Sequence, residues 1–218
     1  ATRPLDKYLG SDEEWEFATH ALRQALETRG LPYEVDEGGG AFYAPKIDVK
    51  LKDALGREWQ CPTIQVDLNL PKRFGVYYTG PDGQEHEVIM LHRALYGSLE
   101  RFVGIFIEHT GGEFPVWVAP TQVMVVPVHP KAFEYAQATA AMLSGAGVRV
   151  EVDTRDEKLG AKIRDAELQK VPYMVVVGPR DAEAGTCAPR RKGQGDLGTM
   201  PREQFVARVL EDIRTKAR

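Results

Sequence analysis

The sequence changes its pattern at the stretch Phe114-Pro115-Val116-Trp117-Val118-Ala119-Pro120, which is followed by Thr121-Gln122-Val123-Met124-Val125-Val126-Pro127. Prolines interrupt the first half of this stretch, whereas a short apolar run in the second half is typical of a buried strand. Upstream of it, alternating segments indicate antiparallel hairpins; downstream, strands alternate with helices. We therefore predict one domain over residues 1–119 and a second over residues 120–218.

Apolar runs and helical periodicities alternate along the second domain. Strands are predicted over 123–126, 148–152 and 173–177, and helices over 130–144, 157–169 and 201–214. An α/β pattern of this kind forms a parallel or mixed sheet covered by helices. Because the pattern is a complete βαβα unit, we expect residues 120–218 to fold without the rest of the chain.

The first domain combines helices with antiparallel strands. Ser11 and the acids after it predict a helix start, and apolar residues at helical spacing continue to Gly30. Alternating segments predict a hairpin over 46–67 and a second one that joins 75–79 to 87–91 around a Gly-Pro-Asp-Gly turn. A further amphipathic helix begins at Gly97-Ser98, with an apolar stripe that includes Leu99, Phe102, Val103, Phe106 and Ile107.

Composition places the chain among globular proteins. Of 218 residues, 43% are hydrophobic and 28% are charged, and no apolar run approaches the length that a membrane-spanning helix needs. Two cysteines are too few for a disulfide framework, so we expect a reduced, cytoplasmic protein with no membrane partner. Residues 1–119 carry a net negative charge and residues 120–218 a small positive one, which hints at a polyanionic partner but also fits ordinary surface charge.

Polar residues mark one face of the strand over 58–67. Strict alternation would place Gln60 on one face and Thr63 and Gln65 on the other, which leaves the second face unusually polar. Such a face is either an ordinary solvated surface or the floor of a binding site. Arg101 lies off the apolar stripe of its helix, where a guanidinium forms surface ion pairs or binds phosphates and bases.

These segments together resemble the threonine-specific branch of the class II aminoacyl-tRNA synthetases. Gly97-Ser98-Leu99-Glu100-Arg101-Phe102 resembles the third signature motif of the class, and Cys61-Pro62-Thr63-Ile64-Gln65 with His92-Arg93-Ala94 resembles the threonine-specific blocks. The resemblance runs over nearly the whole chain. It implies the C-terminal half of the enzyme, with part of an antiparallel catalytic sheet over 1–119 and an anticodon-binding domain over 120–218.

The resemblance implies a site for ATP with Mg²⁺ and for threonine. The residues that match the ATP site are Lys46, Gln60, Thr63, Ser98 and Arg101, and those that match the threonine site are Tyr43 and Gln65. His92 matches one of three zinc ligands, and the zinc of this family binds threonine through its amino and hydroxyl groups. The other two ligands belong to segments that would precede Ala1.

In the second domain the resemblance implies contacts with the anticodon loop of tRNA(Thr). The residues that match are Lys158, Lys162, Arg164, Asp181 and Arg190. A solvated basic surface is the alternative for the basic residues among them. Exposed arginine and aspartate side chains suit the reading of unstacked RNA bases.

Two functions follow from this reading. The first is part of a threonine–tRNA ligase, which acts as a homodimer when complete. The first two signature motifs and the editing domain would precede Ala1, so we expect this chain alone to be inactive. The second is a stand-alone tRNA-binding or regulatory module. Retention of the residues for ATP and threonine favours the ligase, because a pure binding module does not need them.

Overall fold

The computed structural model describes residues 1–217, which form two compact units. The first spans Ala1–His109 and the second begins at Thr110. Antiparallel strands dominate the first unit and a mixed α/β sheet the second, as the sequence predicts. Within the described residues, none of the helices is both long and apolar enough to cross a bilayer.

The first unit contains three helices and five strands. The helices are α1 (Asp12–Thr28), α2 (Leu70–Phe74) and α3 (Leu99–Thr110), and the strands are β1 (Lys46–Lys52), β2 (Glu58–Asp67), β3 (Tyr77–Thr79), β4 (Glu85–Glu87) and β5 (Met90–Ala94). Strands β1, β2 and β5 form an antiparallel sheet in that order, and β3 pairs with β4 in a separate ribbon. The predicted second hairpin is therefore wrong in part, because its returning segment divides into β4 and β5, and β5 pairs with β2.

Helix α1 covers one face of the three-stranded sheet. Ser11 and Glu14 form a capping box, which satisfies backbone N–H groups at the start of the helix. Ala18 and Leu22 pack against Val66 of β2 in the small core of this unit. Burial on this face leaves the opposite face of the sheet to polar side chains.

Strand β2 contains a bulge that changes which side chains share a face. Asp48 pairs with Thr63 and Lys50 pairs with Gln60, so β2 has one more residue than β1 between these pairs. Pro62 lies in this interval. Its missing N–H costs no strand-pairing hydrogen bond there, because the regular pairing is already interrupted by the bulge. The extra residue turns Gln60 to the same face as Thr63. The expectation from strict alternation, which separates these two residues, is wrong for this reason.

The turn between β1 and β2 is organised around the buried carboxylate of Asp53. Trp59 Nε1 donates to Asp53 Oδ2 at 2.9 Å and Arg57 Nε at 2.5 Å, while the Leu55 and Arg57 amides donate to Oδ1. Burial alone would raise the pKa of Asp53, but these hydrogen bonds outweigh it and lower the pKa to about 2. The turn thereby fixes the indole of Trp59.

The second unit contains a mixed sheet flanked by helices. Its strands are β6 (Val123–Pro127), β7 (Val150–Val152), β8 (Tyr173–Val177), β9 (Thr186–Arg191), β10 (Gly195–Asp196) and β11 (Met200–Pro201), and its helices are α4 (Phe133–Gly145), α5 (Leu159–Leu168), α6 (Pro179–Ala184) and α7 (Arg202–Thr215), with a 3₁₀ turn at Pro130–Ala132. The order is β10-β9-β8-β6-β7, and β11 pairs with β9. Strands β7, β6 and β8 are parallel, whereas β9 is antiparallel to β8. The three predicted strands are present; β9 and the short strands after it were not predicted.

Alternating side chains of β6 divide the core of the second unit into two layers. Val123 and Val125 face a cluster that includes Leu143 of α4 and Phe205 of α7. Met124 and Val126 face the other cluster, which contains Ala166 of α5. Helices α4 and α7 therefore cover one face of the sheet and α5 covers the other.

Residues 110–119 pack with the second unit, ten residues earlier than the predicted boundary. Val116 is buried in the larger core cluster, and its carbonyl accepts from Gln122 Nε2 at 2.7 Å. Arg149 donates to the carbonyls of Ala119 and Trp117. The side chains of Gln122 and Arg149 therefore find their hydrogen-bond acceptors in the segment before residue 120.

We expect a fragment that begins at Thr110 to unfold in one cooperative transition. A fragment that begins at Pro120 should be less stable by about 3 kcal/mol, because it exposes the pocket of one buried valine and leaves a buried amide without its acceptor. Thermal unfolding followed by circular dichroism measures both. Val116→Ala in the longer fragment is the matched control. It should lower stability only by the contribution of the buried valine side chain, because the Val116 carbonyl still accepts from Gln122. Equal midpoints for the two fragments would place the boundary at 119.

The stability of the first unit should depend on pH through Asp53. A carboxylate with a lowered pKa stabilises the fold above its ordinary pKa near 3.8, and this contribution is lost as the pH falls towards about 2. Asp53→Asn should therefore be less stable than the parent at pH 6, and the difference should shrink between pH 4 and pH 2. Urea unfolding followed by tryptophan fluorescence measures this. Asp6→Asn, at an exposed position, is the control; a pH-independent difference would contradict the assignment.

Candidate functional site

One face of the three-stranded sheet is lined almost entirely by polar side chains. The register places the side chains of Lys46, Thr63 and Gln65 on this face, and His92 of β5 lies opposite Gln65. We call it the polar face. Its central residues are Lys46, Asp48, Gln60, Thr63, Gln65, Asp67 and His92, and the register continues it beyond the bulge with Lys50, Lys52 and Glu58. It contains every predicted ATP-site or threonine-site residue that lies on β1, β2 or β5.

The half of the polar face nearest the bulge contains three predicted ATP-site residues joined by one carboxylate. Asp48 Oδ1 accepts from Gln60 Nε2 at 2.7 Å and from Thr63 Oγ1 at 2.8 Å. Asp48 Oδ2 lies 2.6 Å from Lys46 Nζ. An open cleft along the edge of β1 also includes Lys46 and Asp48, but α1 and residues 31–36 form most of its lining, and it does not include Gln60, Thr63 or Arg101.

The other half contains the residues predicted for threonine and for a metal. The Tyr43 hydroxyl donates to Gln65 Oε1 at 3.1 Å, and the Tyr43 ring meets the His92 ring edge to face. His92 Nε2 lies 2.9 Å from Oδ2 of Asp67, whose side chain is fully buried. Asp67 Oδ1 accepts from the backbone amides at the start of α2. The imidazole is thus held between a tyrosine ring and a fixed carboxylate.

Ser98 and Arg101 reach the sheet through a close backbone contact. A Cβ on Gly97, which has φ +70°, would lie 2.6 Å from the Cys61 carbonyl oxygen, so glycine allows the turn to approach β2. Ser98 Oγ accepts from the Arg101 amide at the start of α3. Arg101 Nη1 donates to the Gln60 carbonyl at 2.9 Å, and its guanidinium lies over the Trp59 ring. The predicted ATP-site residues therefore lie around one part of β2.

A metal at the polar face would find one suitable ligand. Imidazoles that bind metals commonly donate their other N–H to a carboxylate, which is what the Asp67–His92 pair provides. Among residues 1–217, however, no group of three or more histidine, cysteine, aspartate or glutamate side chains is arranged to hold a metal ion. His92 thus fits one zinc ligand, and the described residues do not complete the set.

The structure brings the predicted RNA-binding residues of the second unit together only in part. Arg190 of β9 lies opposite Met174, which packs with Ala166 of α5. Arg190 and α5 therefore share one face of the sheet. Lys158 and Arg164 are exposed at the start and middle of α5. Arg190 Nε is buried without a hydrogen-bond partner among the described residues, although Nη1 lies 3.8 Å from Asp196.

Two other predicted RNA-binding residues have structural roles. Lys162 is only 4% exposed, and its Nζ donates to the Asp153 carbonyl, which argues against direct contact with RNA. Asp181 Oδ2 accepts from the Gly178 amide and Oδ1 from Thr186 Oγ1, so both oxygens stabilise α6 and its surroundings. Helical spacing indicated which residues belong to α5 but not which of them are buried.

Sequence reasoning missed Asp48 and Asp67, the two carboxylates that contact candidate residues of the polar face. A signal for both was present, because each lies two positions after a candidate residue on the same strand. Asp48 follows Lys46 and Asp67 follows Gln65, and side chains two apart share a face of a strand. An acid in phase with candidate binding residues is therefore a candidate as well.

Two family models match the chain in succession. The model described as tRNA synthetase class II core domain (G, H, P, S and T) matches residues 10–110. The model described as Anticodon binding domain matches residues 122–212. The two matches correspond to the two compact units of the fold, with the segment between them at the start of the second unit.

Individual relatives extend these matches. A threonine–tRNA ligase from Thermus thermophilus is 53% identical over 211 residues, which are 97% of this chain and 32% of the relative. One from Caldanaerobacter subterraneus subsp. tengcongensis is 52% identical over 217 residues, 100% of this chain and 34% of the relative. The chain thus spans about a third of the length of the curated relatives it matches, and it aligns with their C-terminal part.

Solved structures show the same fold. The RNA binding domain of threonyl-tRNA synthetase from Cryptosporidium parvum Iowa II has a TM-score of 0.88 at 34% identity, covering 96% of this chain and 53% of that one. A putative threonyl-tRNA synthetase from Aeropyrum pernix has a TM-score of 0.71 at 30% identity, covering 96% and 51%. The domain matches, the sequence identity and the shared fold show that this chain belongs to the threonine–tRNA ligase family of class II aminoacyl-tRNA synthetases.

Proposed function

We propose that the chain supplies part of the ATP and threonine site, together with the anticodon-binding domain, of an enzyme that charges tRNA(Thr) with threonine. The observation that carries this proposal is the polar face, which gathers candidate ATP and threonine residues side by side on one small sheet. A module that only binds RNA has no need of such a face. The enzyme uses ATP with Mg²⁺, and it acts as a homodimer.

The reaction requires ATP and threonine to be held in contact. A carboxylate oxygen of threonine bonds to the α-phosphorus of ATP while the bond to the bridging oxygen breaks and pyrophosphate leaves. A hydroxyl of tRNA then attacks the threonyl carbonyl, and AMP leaves. The protein contributes chiefly by positioning these groups, so that a bimolecular step becomes effectively unimolecular.

Arg101 and Lys46 are the cations of the ATP site. The Gln60 carbonyl and the Trp59 ring hold the Arg101 guanidinium, whose flat surface suits stacking on adenine. Lys46 lies on the polar face, where its ammonium neutralises phosphate charge. Gln60 and Thr63 supply hydrogen bonds to the nucleotide, and Ser98 fixes the start of α3.

Tyr43, Gln65 and His92 form the threonine site. The Tyr43–Gln65 hydrogen bond and the Asp67–His92 pair hold these side chains in place before the substrate binds. Zinc, held in part by His92, would bind the amino and hydroxyl groups of threonine and so distinguish it from valine. Tyr43 and Gln65 line the remaining polar part of the site.

The second unit binds the anticodon loop through the sheet face that carries Arg190 and α5. The Arg190 side chain is 32% exposed, so its terminal guanidinium nitrogens can donate to a base edge. Lys158 and Arg164 are exposed on the same face and contact the phosphate backbone. Lys162 and Asp181 support this face from within.

A reducing compartment such as the cytoplasm suits the chain. Cys61 and Cys187 are both free and buried thiols. Burial raises the pKa of the Cys187 thiol to about 12, so this cysteine stays protonated and packs as a small apolar residue.

Binding of tRNA tests the role of the second unit. Arg190→Ala should reduce discrimination between tRNA(Thr) and transcripts with altered anticodons by about 1–3 kcal/mol, the usual contribution of a specific base contact. Lys158→Ala should weaken the binding of all transcripts by the same factor. It should also reduce the magnitude of the slope of log K against log salt by about one unit. Fluorescence anisotropy at several salt concentrations measures both effects.

Lys131 provides the matched control, because it precedes α4 on the opposite face of the sheet. Lys131→Ala should leave affinity and salt slope unchanged. If Arg190→Ala weakens the binding of tRNA(Thr) and of altered transcripts equally, Arg190 contacts the RNA backbone and does not read a base. If the parent chain binds tRNA(Thr) no more tightly than transcripts with altered anticodons, the proposal that the second unit recognises the anticodon is contradicted.

A further inference from the structure

The carboxylate of Asp48 is the centre of the hydrogen-bonded network on the polar face. Its two oxygens contact Gln60 Nε2, Thr63 Oγ1 and Lys46 Nζ at 2.6–2.8 Å. The Asp48 side chain is only 15% exposed, so it is not a solvated surface acid. All three partners are residues that the proposed function places at ATP.

The bulge makes this arrangement possible. Gln60 shares a face with Thr63 only because β2 has one extra residue opposite β1. Asp48 accepts a hydrogen bond from each side of that bulge, and so it joins the two parts of β2 that the irregularity separates. A single carboxylate thereby sets the directions of two neutral hydrogen-bonding groups and one cation.

Charge alone gives no reason for an acid at this place. A carboxylate on a face that binds a triphosphate repels the ligand, and it also neutralises Lys46. If Asp48 acted only through its charge, removing it would strengthen nucleotide binding. If Asp48 acts through its contacts, removing it frees three side chains to adopt other rotamers, and nucleotide binding weakens.

We infer that Asp48 is a positioning residue of the nucleotide site, which holds Lys46, Gln60 and Thr63 in the geometry that ATP requires. This inference rests on the proposed function of the polar face. Asp48 itself does not contact the nucleotide in this account. Its effect on ATP passes through the three side chains that it orders.

Calorimetric titration of the 218-residue chain with ATP and Mg²⁺ tests the sign of the effect. Asp48→Ala should bind about tenfold more weakly than the parent, as expected when hydrogen-bonding groups lose their fixed partner. Asp48→Asn keeps a hydrogen-bond acceptor but loses the charge, so its affinity for ATP should lie between those of the parent and Asp48→Ala. Unchanged or tighter binding in both variants would overturn the inference.

Glu58→Gln is the matched control for charge. Glu58 lies on β2, it is half exposed, and it pairs loosely with Lys50 and Lys52 at 3.5 and 3.8 Å. This substitution removes the same charge from the same hairpin without touching the network, so binding should stay unchanged or tighten slightly. A loss equal to that of Asp48→Ala would show a general charge effect and contradict positioning.

Titration without Mg²⁺, in the presence of EDTA, separates positioning from metal binding. A positioning residue weakens ATP binding in both conditions when it is substituted. A loss that appears only with Mg²⁺ would assign Asp48 as a ligand of the ion and overturn the inference.

The ¹⁵N spectrum of the side-chain amide of Gln60 reports on positioning without any nucleotide. In the parent we expect two well-separated, slowly exchanging amide protons; in Asp48→Ala their shifts should move towards those of a free glutamine, and in Glu58→Gln they should not. If the parent binds no ATP, or if Arg101→Ala leaves binding unchanged, the proposed ATP site fails. The Gln60 signals separately decide whether Asp48 orders this side chain, and unchanged signals in Asp48→Ala would overturn the inference even if the parent binds ATP.

Discussion

The bulge opposite β1 is the constraint on which the candidate site depends. Pro62 cannot donate to a ladder hydrogen bond, and the register shifts by one residue across this part of β2. Regular alternation already puts Thr63, Gln65 and Asp67 on one face, while Ile47 and Val66 turn towards α1. The extra residue adds Gln60 to the polar face and so brings it beside Thr63.

The contacts around this face come from segments far apart in the sequence. Gly97 brings the start of α3 onto the backbone of Cys61, and this approach lets Arg101 reach the Gln60 carbonyl. On the other side, the Asp53 turn holds Trp59 beneath the same guanidinium. The Arg101 guanidinium is therefore oriented from two directions, and a side chain fixed in this way loses little entropy when it binds a ligand.

Much of the fold follows from periodicity in the sequence. Alternation predicted the β1–β2 hairpin, and apolar runs predicted β6 and β8, because both patterns reflect burial directly. Strand β9 was missed because it combines one proline and two arginines with small residues, and only pairing with β8 makes it a strand. Strand β5 was misassigned because local turn signals favoured pairing with its neighbour in sequence, whereas β2 offers the longer partner.

The candidate site was predictable as a set of residues but not as a network. The resemblance predicted site roles for Lys46, Gln60 and His92, and the register brings these three residues to one face. Strict alternation could not reveal that a bulge reunites Gln60 with Thr63. Lys162 shows the converse limit, since a lysine on an amphipathic helix looks exposed until its stem is seen packed and its ammonium bound to a carbonyl.

We propose above all that the polar face binds the nucleotide. The most direct measurement is the ¹⁵N–¹H correlation spectrum of the 218-residue chain during titration with ATP and Mg²⁺. We expect the largest chemical-shift changes on the backbone and side chains of β1, β2 and residues 97–101, with little change in the second unit. Changes confined to the second unit, or scattered without preference for the polar face, would contradict it.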